Sequence, residues 1–311
     1  MSSCAVPRLP RLTGLTAALW SDRTAGRERL ETYPRHSRSA GPRNGAPAGT
    51  AHKEAKPVKG LKDRVVIVAG GASGIGAASA KRLGEEGARV VVGDLNFPGA
   101  EATAKEIVAA GGTAVGFAFD LADEVSCGAL IAEAVGRWGA LHGLFNCGAD
   151  LSTETLGRDS DVVSMPLEVV ERTLRVNLIG YFLTARHAIP AILEAGGGSI
   201  VNMTSGVVLG QPKFGAYGMA KGGVIALSRH IAARWGKEGV RCNALDPGIT
   251  LTDNQRTMVT DDHREHAMRA IRSPRFGEPR EIAAMVAFLL SEEAPWINGQ
   301  TYAVSSSDGA R

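Results

Sequence analysis

Residues 69–76 read Ala69-Gly70-Gly71-Ala72-Ser73-Gly74-Ile75-Gly76, directly after a β-branched run at 64–69 and before a stretch of helical composition at 75–86. Glycines between a strand and a helix allow a tight turn. They let backbone approach a pyrophosphate and let helix and strand pack closely, while the helix N-terminus adds donors and a favourable dipole. Lys81 stands too far along the chain for a P-loop, which needs Gly-Lys followed by Ser or Thr. A glycine cluster alone is equally a surface turn, so the weight falls on what surrounds it.

Asp94 ends the second β-branched run, 24 residues after Gly70. A carboxylate there can accept from both hydroxyls of an adenosine ribose and repels a 2′-phosphate. Ser73 and Leu95, where a phosphate-binding cation could stand, are uncharged, so NAD is favoured over NADP. The competing reading of Asp94 is a helix cap or loop carboxylate.

Further apolar runs at 89–93, 114–119, 141–146, 199–203, 240–245 and 300–304 alternate with helical stretches that include 98–110, 166–195 and 216–235. Parallel strands need helical crossovers, nearly always right-handed. The alternation therefore predicts an α/β fold: a single doubly wound Rossmann-type domain with a seven-stranded, mainly parallel sheet and helices on both faces. Its ligand belongs outside the carboxyl ends of the strands. No internal repeat and no linker interrupts residues 60–311, so 58–311 is expected to be one NAD-binding catalytic domain with its substrate loops built in, preceded by an extension over 1–57.

Of the 311 residues, 44% are hydrophobic and 22% charged, which excludes a fully disordered or fibrous chain. The formal charge of +3 is misleading when taken whole. Residues 1–50 carry eight arginines, no lysine and three acids, a local +5, and the remaining 261 residues carry 27 basic and 29 acidic side chains. The domain is thus slightly acidic, with no case for nucleic acid or a membrane surface. The basic segment lacks any sustained period and reads as a disordered tail, an organelle-targeting leader, or a start assigned too far upstream.

No apolar run of about 18 residues is visible, and the stretch 15–20 is too short for a secretory signal. The cysteines at 4, 127, 147 and 242 form no Cys-x-x-Cys pair, which points to a reducing, cytoplasmic setting. His263 and His266 lie in a charged stretch that reads as a solvated helix face, so no metal is expected.

Tyr217 and Lys221, four apart in a helical stretch, share one face. A tyrosine of pKa ~10 is a poor base at neutral pH, and a nearby ammonium favours the phenolate. Ser205 ends the fifth strand, twelve residues before Tyr217, where the crevice lies. Asn177 is an amide between Val176 and Leu178 in the long helical stretch, read either as functional or as a satisfied core amide.

Taken together, these residues resemble the short-chain dehydrogenase/reductase family over residues 60–309. The family's Thr-Gly-x-x-x-Gly-x-Gly turn matches 69–76, with Ala69 in the threonine place and Gly70, Ser73, Gly74, Ile75 and Gly76 as cofactor contacts. Its ribose aspartate falls on Asp94 beside Leu95, and its adenine-side aspartate on Asp120 beside Leu121. The Asn-Asn-Ala-Gly stretch reads Phe145-Asn146-Cys147-Gly148, so two of its four residues differ, leaving Asn146 and Gly148 as contacts. Pro247, Gly248 and Thr252 match the segment that lies against the nicotinamide, and 275–279, 288–291 and 299–300 resemble the C-terminal signature.

The resemblance implies a catalytic tetrad of Asn177, Ser205, Tyr217 and Lys221 and hydride transfer between NAD(H) and a secondary alcohol or its ketone. Tyr217 would act as acid/base. Lys221 would lower its pKa and hold the nicotinamide ribose, Ser205 would bond the substrate oxygen, and Asn177 would position a relay water. A homotetramer packed through the helices bearing Asn177 and Tyr217 is also implied. The segments 150–165, with Glu154, Asp159 and Asp161, and 249–272, with Arg256, Arg264, Arg269 and Arg272, are the expected substrate walls. Two alternatives stand beside this reading: an NADP-dependent carbonyl or 3-oxoacyl thioester reductase, and a non-catalytic NAD-binding sensor or scaffold.

Overall fold

The computed structural model of the chain describes residues 57–252, 265, 267–269 and 271–306. The expected extension over 1–57 lies, except for its last residue, outside the described residues, as does much of the 249–272 wall.

Seven strands form one sheet: β1 (Val65–Ala69), β2 (Arg89–Asp94), β3 (Thr113–Ala118), β4 (Gly143–Asn146), β5 (Gly198–Met203), β6 (Val240–Asp246) and β7 (Thr301–Ala303). Their order is β3-β2-β1-β4-β5-β6-β7 and every neighbouring pair is parallel. The strand order reverses between β1 and β4, which places the crevice at the carboxyl ends of those two strands.

The helices are α1 (Gly74–Glu85), α2 (Phe97–Ala109), α3 (Glu124–Trp138), α4 (Leu167–Leu174), α5 (Gly180–Glu194), α6 (Gly215–Trp235) and α7 (Pro279–Leu290). All five residues of β1 are buried because the sheet is covered on both faces. With a period of two, Val65, Ile67 and Ala69 enter the layer filled by α3, α5 and α6, and Val66 and Val68 enter the layer of α1, α2 and α7.

A chain of buried polar groups crosses the middle of the sheet. Thr184 of α5 donates to Asn146 Oδ1 at 2.8 Å, Asn146 Nδ2 to Asn202 Oδ1 at 2.9 Å, and Asn202 Nδ2 to Ser228 Oγ of α6 at 2.9 Å. Two helices and two strands are thereby pinned together inside an apolar layer, where an unmade bond would cost about 1–3 kcal/mol.

The continuous helix expected over 166–195 is corrected in one respect. A π turn, Arg175–Ile179, separates α4 from α5, and Asn177 sits within it. Such wide turns admit one extra residue and are frequent at functional sites. The combined run Leu167–Glu194 also corrects the composition argument, because by length and mean hydropathy, 1.2 over its best window, it is apolar enough to span a membrane. It packs instead as a core helix, burying Tyr181, Leu183, Ala188 and Ile192 against α3, α6 and the sheet.

Candidate active site

The glycine turn is built so tightly that side chains are excluded. Gly70 has φ 100°, and a Cβ there would overlap the backbone of Gly148. A Cβ on Gly76 would overlap the Gly70 carbonyl, and one on Gly74 would lie 2.9 Å from Thr252 Cγ2. Ser73 is the N-cap of α1 but its side chain makes no cap bond, and the first turn holds no acid. The positive end of the helix therefore keeps its capacity for an anion. Ile75 packs into the layer beneath.

Asp94 has a second task that its position alone does not reveal. Its Oδ2 accepts from Ala72 N–H at 3.0 Å and its Oδ1 from Asn96 N–H at 2.9 Å, so the carboxylate braces the glycine turn. Leu95 beside it is exposed. Asp120 Oδ1 accepts from Ala122 N–H at 2.8 Å, and its own N–H donates to Ser126 Oγ at 2.9 Å.

Two expected cofactor contacts lie deeper than the sequence implied. Leu121 is a core side chain lying under Gly148, and the Asn146 amide is engaged inside the sheet, which leaves only its backbone to face a ligand. Gly148 donates its N–H to Ala69 O at 2.8 Å and lies against Gly70.

Tyr217 and Lys221 stand one turn apart near the start of α6. Lys221 is fully buried, and its Nζ donates to Met203 O at 2.9 Å and to the Tyr181 hydroxyl at 3.2 Å. It lies 5.6 Å from the centre of the Tyr217 ring. Ser205 lies two residues past the end of β5, at the start of the crossover to α6, and accepts weakly from Val207 N–H at 3.5 Å, capping a 3₁₀ turn at Gly206–Leu209 that packs on α6. Asn177 Oδ1 accepts from Asp150 N–H at 2.9 Å, while its Nδ2 is buried without a partner. The π turn and α6 approach so closely that a Cβ on Gly223 would lie 2.6 Å from Leu178. The four tetrad positions thus occupy neighbouring elements around one crevice.

Electrostatics here depart from the expectation that Lys221 acidifies Tyr217. Burial, reinforced by Cys147 and Asp246, pushes the Tyr217 phenol above its ordinary value. Burial pulls the Lys221 ammonium down to about 8, with Cys147 opposing. The reason is geometric, since the ammonium is hydrogen-bonded to Met203 and Tyr181 rather than to the Tyr217 oxygen. Asp246, at the end of β6, is also raised by burial; it accepts from Gly248 N–H at 3.0 Å and from the Gly206 amide, joining the Ser205 turn to the Pro247-Gly248 turn.

The structural roles of three residues are not contained in the sequence reading: Asp159, Tyr181 and Asp246. Asp159, expected as part of a polar substrate wall, is only 4% exposed, and its carboxylate accepts from Ala216 N–H at 3.1 Å and Tyr217 N–H at 2.8 Å. Of the arginines in the second wall, Arg256 and Arg264 lie outside the described residues, and Arg269 pairs with Glu265 at 3.6 Å.

The profile of the family described as Enoyl-(Acyl carrier protein) reductase matches residues 70–306. The chain is 34% identical over 251 residues to cyclohexanol dehydrogenase of Acinetobacter sp. (strain SE19), covering 80% of this chain and 95% of that one. It is 36% identical over 240 residues to D-threitol dehydrogenase of Mycolicibacterium smegmatis, covering 77% and 90%. Among solved structures, a 7α-hydroxysteroid dehydrogenase complexed with NADH and 7-oxo glycochenodeoxycholic acid superposes with a TM-score of 0.74 at 28% identity, over 79% of this chain and 94% of that one. With motif, fold and near full-length relatives in agreement, the chain belongs to the short-chain dehydrogenase/reductase family.

Proposed function

We propose that the protein is an NAD-dependent oxidoreductase acting on a secondary alcohol and its ketone, with Tyr217 as the acid/base. The observation that carries this reading is the placement of Tyr217, with Lys221 one turn on, beside the Ser205 turn at the strand ends that also carry the glycine turn. The relatives named for cyclohexanol, threitol and hydroxysteroid oxidation support the reaction class.

The nicotinamide cofactor, when bound, accepts or supplies the hydride. Gly70, Gly74 and Gly76 would admit its pyrophosphate, with the α1 N-terminus and Ser73 as donors. Asp94 would take the adenosine ribose and disfavour a 2′-phosphate. Asp120 and the backbone at Asn146, Gly148, Pro247, Gly248 and Thr252 would complete the walls. In ketone reduction, Tyr217 held as a phenol donates its proton to the carbonyl oxygen while Ser205 hydrogen-bonds the same oxygen. Lys221 supplies positive charge beside Tyr217, and Asn177 keeps Asp150 and the π turn in place.

A homotetramer is part of the same proposal. Ile179 and Phe182 on the Asn177 side and Met219 on α6 are exposed apolar side chains on the two helices that would meet their counterparts. The free thiols of Cys127, Cys147 and Cys242 are in keeping with a reducing, cytoplasmic location. Residues 58–311 would be the catalytic domain and 1–57 an extension to it.

The profile's description favours one second reading, a reductase of acyl thioesters, for which NADP is the alternative cofactor to test. Purified protein assayed with NAD and NADP against cyclohexanol, a 7α-hydroxysteroid, threitol and a 3-oxoacyl thioester separates the two. NAD-linked oxidation of an alcohol is expected; NADPH-linked thioester reduction alone would replace the proposal. Tight NAD binding without turnover on any of them would favour a sensor.

A further inference from the structure

Tyr181 is among the largest fully buried side chains of the protein, one turn beyond Asn177 on α5. A phenylalanine would fill the same space without a hydroxyl to satisfy, so a buried tyrosine there calls for a polar partner. Its partner is Lys221. The Nζ donates to the Tyr181 hydroxyl at 3.2 Å and stands 4.5 Å from the centre of the Tyr181 ring, closer than to the ring of Tyr217 at 5.6 Å. Its other acceptor is the Met203 carbonyl, at 2.9 Å. Among the described residues no carboxylate pairs with this ammonium.

We propose that Tyr181 is a positioning residue for Lys221, its hydroxyl and ring holding the lysine charged and fixed beside Tyr217. A buried ammonium without a counter-ion depends on dipoles and π faces, and removing one of two acceptors favours the neutral amine. Burial already brings Lys221 to about 8, so a modest further loss would discharge it at neutral pH. The titratable groups around the pair are Cys147 after β4, Tyr217 on α6 and, against Tyr217, Asp246 at the end of β6. Cys147 and Asp246 stay in place in a Tyr181 variant, so a change in Lys221 is assignable to the lost hydroxyl. The inference rests on the proposed role of Lys221 beside Tyr217.

The test is the titration of Lys221, followed by NMR in protein labelled with ¹³C at lysine Cε, its signal identified by its loss in Lys221→Met. In Tyr181→Phe the Lys221 midpoint is expected to fall by about one pH unit, the equivalent of one charge-assisted bond. An unchanged midpoint overturns the proposal. Should the Phe variant not fold, the parent protein labelled with ¹³C at tyrosine Cζ decides, since the chain has only four tyrosines. The Tyr181 signal is expected to move over the pH range in which Lys221 titrates, and a signal indifferent to it sinks the idea. On whichever alcohol proves a substrate, Tyr181→Phe should lower kcat about twofold at pH 7 and about fivefold at pH 8, the loss of charged Lys221 that a one-unit fall from about 8 produces, with KM little changed. An active Tyr217→Phe variant would instead refute the acid/base assignment while leaving the Lys221 titration result standing.

Discussion

The backbone N–H of Tyr217 donates to Oδ2 of Asp159 at 2.8 Å, across 58 positions of chain. With the companion bond from Ala216 at 3.1 Å, one buried carboxylate caps the helix that presents both Tyr217 and Lys221. The cap residue itself, Phe214, has φ 68° and cannot do this with its own side chain. Asp159→Ala is expected to cost roughly 1–2 kcal/mol of stability. It should also lower kcat more than it raises KM, because the Tyr217 end of the helix loses its reference point. Asp159→Asn, which keeps one acceptor oxygen, should recover part of both. A melting curve and Michaelis parameters for the pair decide it, and equal kcat in all three proteins would remove Asp159 from the argument.

Tyr217→Phe removes the group that moves the proton and little else. Turnover is expected to fall by about 10²–10⁴-fold, the usual contribution of general acid–base catalysis. NADH affinity, followed by fluorescence titration, should stay within about twofold of the parent, since half a kcal/mol is the scale of a single weak contact. Retained turnover would mean another acid.

The pH dependence should be asymmetric between the two directions. Tyr217 lies above its ordinary value, so it remains a phenol through neutral pH. Ketone reduction consumes the phenol's proton and should be level from about pH 6 to 7, then decline toward about pH 8 as Lys221 loses its charge. Alcohol oxidation needs the phenolate and should climb toward alkaline pH. Initial rates in both directions across that range are the measurement; an oxidation rate independent of pH would contradict it.

His142 makes stability pH-dependent independently of the active site. Its Nδ1 accepts from Val65 N–H at 3.0 Å, which requires the neutral ring, and burial together with Arg64 lowers its pKa. A group depressed in this way binds more protons when unfolded. Its contribution is therefore complete above the unfolded value of about 6.5 and is lost as pH falls below it toward the folded value. The melting temperature should decline over that window. His142→Gln, if folded, should flatten the decline.

Asp94→Ser should narrow the preference for NAD over NADP by removing the charge that repels a 2′-phosphate. Affinity for NAD should also fall, by about tenfold, because Ala72 N–H loses its acceptor and the glycine turn loses a brace. Titration with both cofactors checks this. A variant that gains NADP with NAD binding intact would show that the brace is dispensable.

Much of this was legible in the chain. The apolar runs marked all seven strands to within a residue or two; the central strands, such as β1 and β4, are buried on both faces and so leave a continuous apolar signature, while the edge strands β3 and β7 are only partly covered. The glycine turn and the Tyr217–Lys221 pair were legible for the same kind of reason: their meaning rests on spacing of a few residues. What stayed hidden was non-local. Asp159 looked like one more acid in a polar loop, since its partners lie 57 and 58 residues away. Tyr181 looked like a core aromatic, because nothing near it in sequence announces a lysine 40 positions on. The π turn at Asn177 carries no proline or glycine inside it to mark the break, and Gly180 follows only after it.

The line of amides and hydroxyls from Thr184 through Asn146 and Asn202 to Ser228 has a meaning for anyone altering this protein. It runs inside the protein, with every member buried, and it ties the helix after Asn177 and the helix that bears Lys221 to the same two strands. The spacing between the two halves of the chemistry is therefore gauged from below. Screens for faster or broader variants that sample only the crevice walls would leave this gauge untouched, and substitutions at Thr184 or Ser228 would recalibrate it.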